Sequence, residues 1–341
     1  MRSNYATLTD LAMEIDRIEK SKNDYLIPST KLTMFEDNYM RIEGESDFGI
    51  NEIAHGHLSA KLNIPKAYYD RMAEVEGLRS LNVNAWLRRE PKKNFVRTLD
   101  GNIRGFLSSA FRPIDNFDVM TSVLPVIGGM NVDFKSTSLT DKKLYLQVTF
   151  PEVEREVKKG DIVTRGFILT NSEVGHGAVD IKFMIWRLIC QNGMIGQSIL
   201  RKFHVGSRIN TENQDIFKDD TVKAELESFK LRLRDIMAEA VSIQRFEDEV
   251  NKLKGAVDDK ITNINDTVQN ITKRFGISQS YNDSIIQNMV EESNLNRYGL
   301  ANGITALAHK IENPDIQYEV EKIGSMIINM TRNEWGKYQA A

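Results

Sequence analysis

The chain has 341 residues, 41% apolar and 27% charged, with a net charge of −3. That length allows more than one core, and that balance excludes an intrinsically disordered chain. The single cysteine, Cys190, excludes a disulfide scaffold, no apolar run reaches the length of a membrane span, and the first residues lack a secretory signal, so a cytoplasmic protein without membrane contact is expected.

Residues 1–77 read as a small mixed subdomain. Thr9-Asp10 is suited to cap a short helix with Leu11, Ile15 and Ile18 on its apolar side. Thr30 to Ile42 alternates like strand. Asn51 to Met72 reads as two short helices around Leu62-Asn63-Ile64-Pro65, an outline that suits either DNA reading or simple packing. His55 and His57, two apart and without further ligands nearby, read as surface or capping residues.

Residues 78–215 predict a sheet domain. Asp115 is placed to cap a helix presenting Phe117, Met120, Val123 and Leu124. Leu144, Leu146, Val148 and Phe150 alternate with polar residues at period two. Lys158-Lys159-Gly160-Asp161 is a good hairpin loop before the next strand, Ile162 to Thr170. Ala178 to Cys190 is a third run, apolar on both faces in its second half. The expected class is α+β: an antiparallel sheet with flanking helices in the middle of the chain, then a long-helix, all-α carboxy-terminal region.

Residues 216–341 supply that helical region. Val222, Leu226, Phe229, Leu233, Ile236, Ala240 and Ile243 step by four and three, and the pattern continues with slips to Phe275. One unbroken helix over 221–275 would be about 80 Å long and would pair two chains as a coiled coil. Packing on the protein's own domain, with Gly255 as a break, is the alternative. Gly276 ends the segment, and Pro314 separates two further helices, Asn282 to Asn313 and Asp315 to Lys337.

No phosphate-binding Gly-Lys-Ser/Thr loop, His-Glu-x-x-His or Cys-x-x-Cys is present, so no catalytic residue, metal or cofactor is assigned. Cys190, closing an apolar run, reads as a small buried thiol rather than a nucleophile. Asn171-Ser172-Glu173-Val174-Gly175-His176-Gly177 is the most unusual stretch. It suits a wide hairpin turn, or a loop whose backbone N–H groups grip a phosphate or a partner. Charge is also uneven. Leu78 to Arg112 carries eight bases against two acids, and Lys182 to Arg208 carries five bases and no acid. Rings stand among the cations of the first segment. The candidate nucleic-acid contacts are Trp86, Arg88, Arg89, Lys92, Lys93, Arg97, Arg104, Phe106 and Arg112, joined by Arg187, Arg201 and Lys202 from the second segment.

Three stretches carry a family resemblance: Ile103 to Asn116, Thr170 to Gly175, and Trp186 to Met194. Leu62 to Tyr69, Asn82 to Leu87 and the region from Gly299 to Lys310 fit as well. With them the chain resembles the phage/plasmid-like proteins of domain-of-unknown-function family 932 over roughly residues 50–330. The resemblance implies a phage, prophage or mobile-element origin and no particular activity. The function expected is non-enzymatic binding or annealing of single-stranded DNA in replication or recombination, by an oligomer joined through 221–275. The alternative is a protein-interaction module acting on a host factor, in counter-defence or host takeover.

Overall fold

The computed structural model describes residues 4–89, 91–189, 191–202, 219–240 and 242–339. It is α+β, with two sheets followed by a helical region.

Helix α1 (Leu8–Ser21) buries Leu11, Ile15 and Ile18. Its cap is Thr7, not the expected Thr9-Asp10. The Thr7 hydroxyl accepts from the Asp10 N–H, and the Asp10 carboxylate takes the Thr7 N–H in return. Next come β1 (Asn23–Pro28), β2 (Leu32–Phe35), β3 (Tyr39–Ile42) and β4 (Asp47–Ile50), then helices α2 (Glu52–Lys61), α3 (Lys66–Arg71) and α4 (Leu78–Arg89). Strands β5 (Lys93–Leu99) and β6 (Asn102–Ser108) complete a six-stranded sheet of order β1-β5-β6-β4-β3-β2. Only the β4–β6 pair is parallel, because α2 to α4 cross over between them. Those helices cover the sheet, setting Leu58, Tyr69, Val83 and Leu87 against Met34, Met40, Val96 and Phe106. The pair α2–α3 therefore packs on a sheet. A boundary at 77/78 would cut this sheet, since β5 and β6 lie beside β1 and β4.

Helix α5 (Asn116–Ile127) buries Val119, Met120, Val123 and Ile127, whereas Phe117 is turned outward, against expectation. Strands β7 (Asp133–Leu139), β8 (Leu144–Lys158), β9 (Asp161–Asn171), β10 (Val179–Arg187) and β11 (Asn192–Lys202) form a five-stranded antiparallel meander. Gly160, at φ +80°, makes the predicted β8–β9 turn. Strand β10 is covered on both faces as expected, with Phe183 and Ile185 in one core and Met184 and Trp186 in another.

The helical end comprises α6 (Asp219–Ala240), α7 (Ile243–Asp258), α8 (Ile264–Phe275), α9 (Asn282–Glu291), α10 (Arg297–Thr305), α11 (Pro314–Ile328) and α12 (Arg332–Gln339). The expectation of one unbroken helix over 221–275 is corrected, and the described apolar positions follow the alternative of packing on the protein's own cores. The segment forms three helices, α6 to α8, and Gly255 lies inside α7 rather than breaking it. Phe229, Leu233 and Met237 of α6 enter the core that holds Leu144, Val148 and Phe167. Phe246, Val250 and Leu253 enter a different core, with Phe183, Ile185 and α9 to α11. These buried positions serve cores of the chain itself rather than a coiled-coil seam. Gly276, at φ +68°, closes α8 as expected. Each of the two final predicted helices is divided, α9 from α10 and α11 from α12.

Candidate nucleic-acid interface

Several predicted contacts are buried and ion-paired, which corrects their assignment. Arg97 is 0% exposed. Its Nε and Nη2 donate to Asp24 at 2.8 and 3.0 Å, and its Nη1 donates to the Glu173 carbonyl at 2.9 Å. Nη2 also meets Asp115 at 2.8 Å, and Asp115 is paired with Lys22 as well. This explains why Asp115 heads α5 without a side-chain capping bond. The two cations hold its carboxyl below the usual range even though burial pushes the other way. Arg104 donates from Nη1 to Glu173 at 2.7 Å. Arg187 donates from Nε and Nη2 to Asp161 at 2.8 and 2.7 Å and from Nη1 to Glu292 at 2.8 Å. Phe106 lies in the core of the first sheet. Breaking a buried pair strands a charge, so these arginines cannot leave their carboxylates to meet phosphates.

The Asn171 to Gly177 loop clamps the two sheets together. The Asn171 amide donates to the Ile114 carbonyl and to Asn116 Oδ1, both at 2.9 Å. The Ser172 hydroxyl donates to the Lys142 carbonyl at 2.7 Å and accepts from the His176 N–H at 2.9 Å. Glu173 joins Arg104 to the Asn116 N–H, which it accepts at 2.7 Å. These three residues are buried, and their bonds are internal, so the reading of them as a phosphate-gripping loop is not retained. Gly175, at φ +78°, lets the chain turn back, and Gly175, His176 and Gly177 stay on the surface. His176 stacks on His57, with ring centroids 5.5 Å apart. His55 is buried rather than at the surface, its Nδ1 2.8 Å from the Tyr69 hydroxyl, and burial pushes both His55 and His57 down to about 4.

Of what remains of the predicted set, Trp86 and Lys92 line one cleft, and Arg88, Arg89 and Lys93 are their neighbours in sequence. The carboxy-terminal turn of α4 carries Trp86, Arg88 and Arg89, all exposed, and the segment entering β5 carries Lys92 and Lys93, also exposed. A cleft of about 370 Å³ opens between this turn and the α2–α3 corner. That is toward the small end of ligand-sized pockets, roughly 300–1,000 Å³. Trp86 and Tyr68 are on its lining, Lys61 and Lys92 supply cations, and Phe106 and Ile64 line its apolar part. Trp86 is 37% exposed, and the Arg89 guanidinium sits 5.2 Å from its ring. Ser29 holds the floor together, donating to the Leu87 carbonyl at 2.7 Å and accepting from the Lys92 N–H at 3.2 Å. Asn63, at φ +55°, turns the chain sharply between α2 and α3. Lys61 donates to the Leu107 carbonyl at 2.6 Å and lies 5.5 Å from the Phe106 ring. Burial, aided by Lys92, pushes its ammonium down to about 8.

Lys61 and Tyr68 were missed in the sequence because they lie outside the basic run. Tyr68 does stand in a stretch that carries the family resemblance. Arg112 is half-buried and donates to the Ser109 and Phe111 carbonyls at 3.2 and 3.4 Å. Arg201 and Lys202 stand on the edge strand β11, opposite Asp180 and Val179. Cys190 lies outside the described residues. Among the described residues no cluster of three His, Cys, Asp or Glu could hold a metal, and no helix is long and apolar enough to cross a membrane.

The family model of a domain of unknown function, DUF932, matches residues 105–337. The chain belongs to that family. No curated protein and no solved structure matches it. In this DUF932 protein the stretches carrying the resemblance are largely architectural. Arg104, Asp115, Asn116, Asn171 and Glu173 meet where the two sheets join. Arg187 and Asn192 tie the second sheet to the helical end through Glu292 and Thr305. The Trp86 cleft lies almost wholly outside the matched residues, with Phe106 alone inside them.

Proposed function

We propose that this protein binds single-stranded nucleic acid, without catalysis, in the replication or recombination of a phage or mobile element. The observation that supports this most is the cleft beside α4, where two partly exposed rings, Trp86 and Tyr68, stand with Lys61 and Lys92. A base stacks on an aromatic face whatever its identity, and cations beside the ring take the adjoining phosphates. Arg88, Arg89, Lys92 and Lys93 are the phosphate contacts of this reading. Bases splayed from a single strand reach such rings, whereas those of a duplex stay stacked.

Tryptophan fluorescence tests it directly. The chain has three tryptophans, and Trp186 and Trp335 are only 8% and 5% exposed. Quenching of the emission by oligothymidylate therefore reports on Trp86, and Trp86→Phe should remove most of that quenching. No quenching and no change in the anisotropy of a labelled oligonucleotide at low salt would refute the reading. The second reading is a surface for a host protein, favoured by the exposed Val75 and Leu81 near the same helix.

A further inference from the structure

A second cavity, of about 670 Å³, opens between α1, the β5–β6 turn and the β7–β8 turn. Trp86 and Tyr68 are not part of it. Its five carboxylates, Asp141 among them, already have partners. Glu14 and Asp100 both accept from Arg17 at 2.9 Å, and Asp10 serves the α1 cap. Glu173 accepts from Arg104 and from the Asn116 N–H.

Its cations are less fully engaged. Arg104 is only 8% exposed and uses Nη1 on Glu173, yet its Nε and Nη2 have no hydrogen-bond partner among the described residues. Lys142 stands on the same lining, exposed, and among the described residues its ammonium makes no hydrogen bond or ion pair, whereas the Lys143 ammonium lies over the Tyr318 ring, 5.7 Å from its centroid, on the side of a different cavity. A buried guanidinium edge without an acceptor is costly, and its own charge, with Lys142 on the same lining, makes an anionic acceptor the favoured one. Met13 and Tyr5 add apolar surface to the lining.

We infer that this cavity binds a small organic anion, its phosphate or carboxylate group held by Arg104 and Lys142. The anion would complete the guanidinium fork that Glu173 occupies on one side only, and the remainder of the ligand would lie toward Met13 and Tyr5. This site is separate from the cleft proposed for nucleic acid and does not depend on it.

The test is a ³¹P NMR titration of inorganic phosphate with the full-length protein. Saturable broadening with Kd in the range of about 1 mM or tighter is expected. Lys142→Ala, at an exposed position, should weaken it about fivefold without lowering the melting temperature. Arg104→Lys keeps a cation for Glu173 but removes the fork, and should weaken binding about tenfold. Trp86→Ala should leave phosphate binding unchanged, so that failure here and failure of the nucleic-acid reading can be told apart. Displacement by malonate supports a carboxylate-bearing ligand, and its absence supports a phosphate-bearing one. No saturable broadening by the folded wild type up to about 10 mM overturns the inference, as does undiminished binding by the Lys142→Ala variant.

Discussion

Replacing Arg88 and Arg89 together by alanine should halve the salt dependence of oligonucleotide binding. Four exposed cations stand at the end of α4 and the start of β5: Lys92 on the lining of the Trp86 cleft, Arg89 against the Trp86 ring, and Arg88 and Lys93 beside them in sequence. At about −0.7 per phosphate for a single strand, they predict a slope of log K against log salt of about −2.8. Counting the buried Arg97 and Arg104 as contacts would instead give about −4.2. Over a tenfold rise in salt, wild-type affinity should fall about 600-fold and that of the double variant about 25-fold. Trp86→Ala should cost about 1–3 kcal/mol at every salt concentration and leave the slope unchanged. Arg89 touches the Trp86 ring, so Arg88→Ala alone is the cleaner control and should remove about 0.7 of slope. Both arginines are exposed at a helix carboxy-terminus, where losing a cation costs about 0.3–1 kcal/mol of stability, so the variants should fold. Anisotropy of a labelled oligothymidylate at several salt concentrations provides the measurement. A wild-type slope steeper than −4, or a slope untouched by the double substitution, would refute the assignment of phosphate contacts.

Three further outcomes are expected. Binding should weaken as pH rises from about 7 to 9, because the Lys61 ammonium, which lines the cleft without being one of the four phosphate contacts, is set by burial to titrate at about 8, and Lys61→Met should remove that dependence; a flat profile in the wild type would show that the Lys61 charge does not act on the bound strand. Glu321 is buried, donated to by Gln147 at 2.6 Å, and pushed up to about 8 by desolvation. Its folded-state carboxyl therefore stays protonated while the unfolded one ionises, so stability should fall by up to about 1.4 kcal/mol per pH unit between about 4.5 and 8 and then level off. Glu321→Gln should flatten that decline in urea unfolding, and identical pH profiles for the two proteins would contradict it. Leu233→Ala, in the core shared by α6 and the second sheet, should cost about 2–5 kcal/mol by the same assay while light scattering of the folded wild type reports a monomer; a stable dimer dissociated by this substitution would restore the coiled-coil reading.

Local chemistry was enough to read much of the architecture from the chain itself. The spacing of Leu11, Ile15 and Ile18 defines the buried side of α1, alternation from Leu144 to Phe150 marks β8, and Gly160 and Gly276 mark a turn and a helix end. Each signal spans a few residues, because helix and strand periodicity, caps and turns are set by neighbours in sequence. The same periodicity from Val222 to Phe275 established helices without establishing what covers them. An apolar stripe packs equally well on another chain or on its own sheet, and only the tertiary structure shows α6 and α7 entering two different internal cores.

The site divides in the same way. Trp86, Arg88, Arg89, Lys92 and Lys93 stand within eight residues of one another, and the folded chain keeps that neighbourhood exposed. Arg97, Arg104 and Arg187 look identical to them in composition. Their fate was decided by Asp24, Glu173, Asp161 and Glu292, which lie tens of residues or more away and reach them only when strands pair and the sheets join. A lone arginine in a sequence carries a charge, but whether that charge faces water or a buried carboxylate depends on long-range packing, which no local pattern encodes.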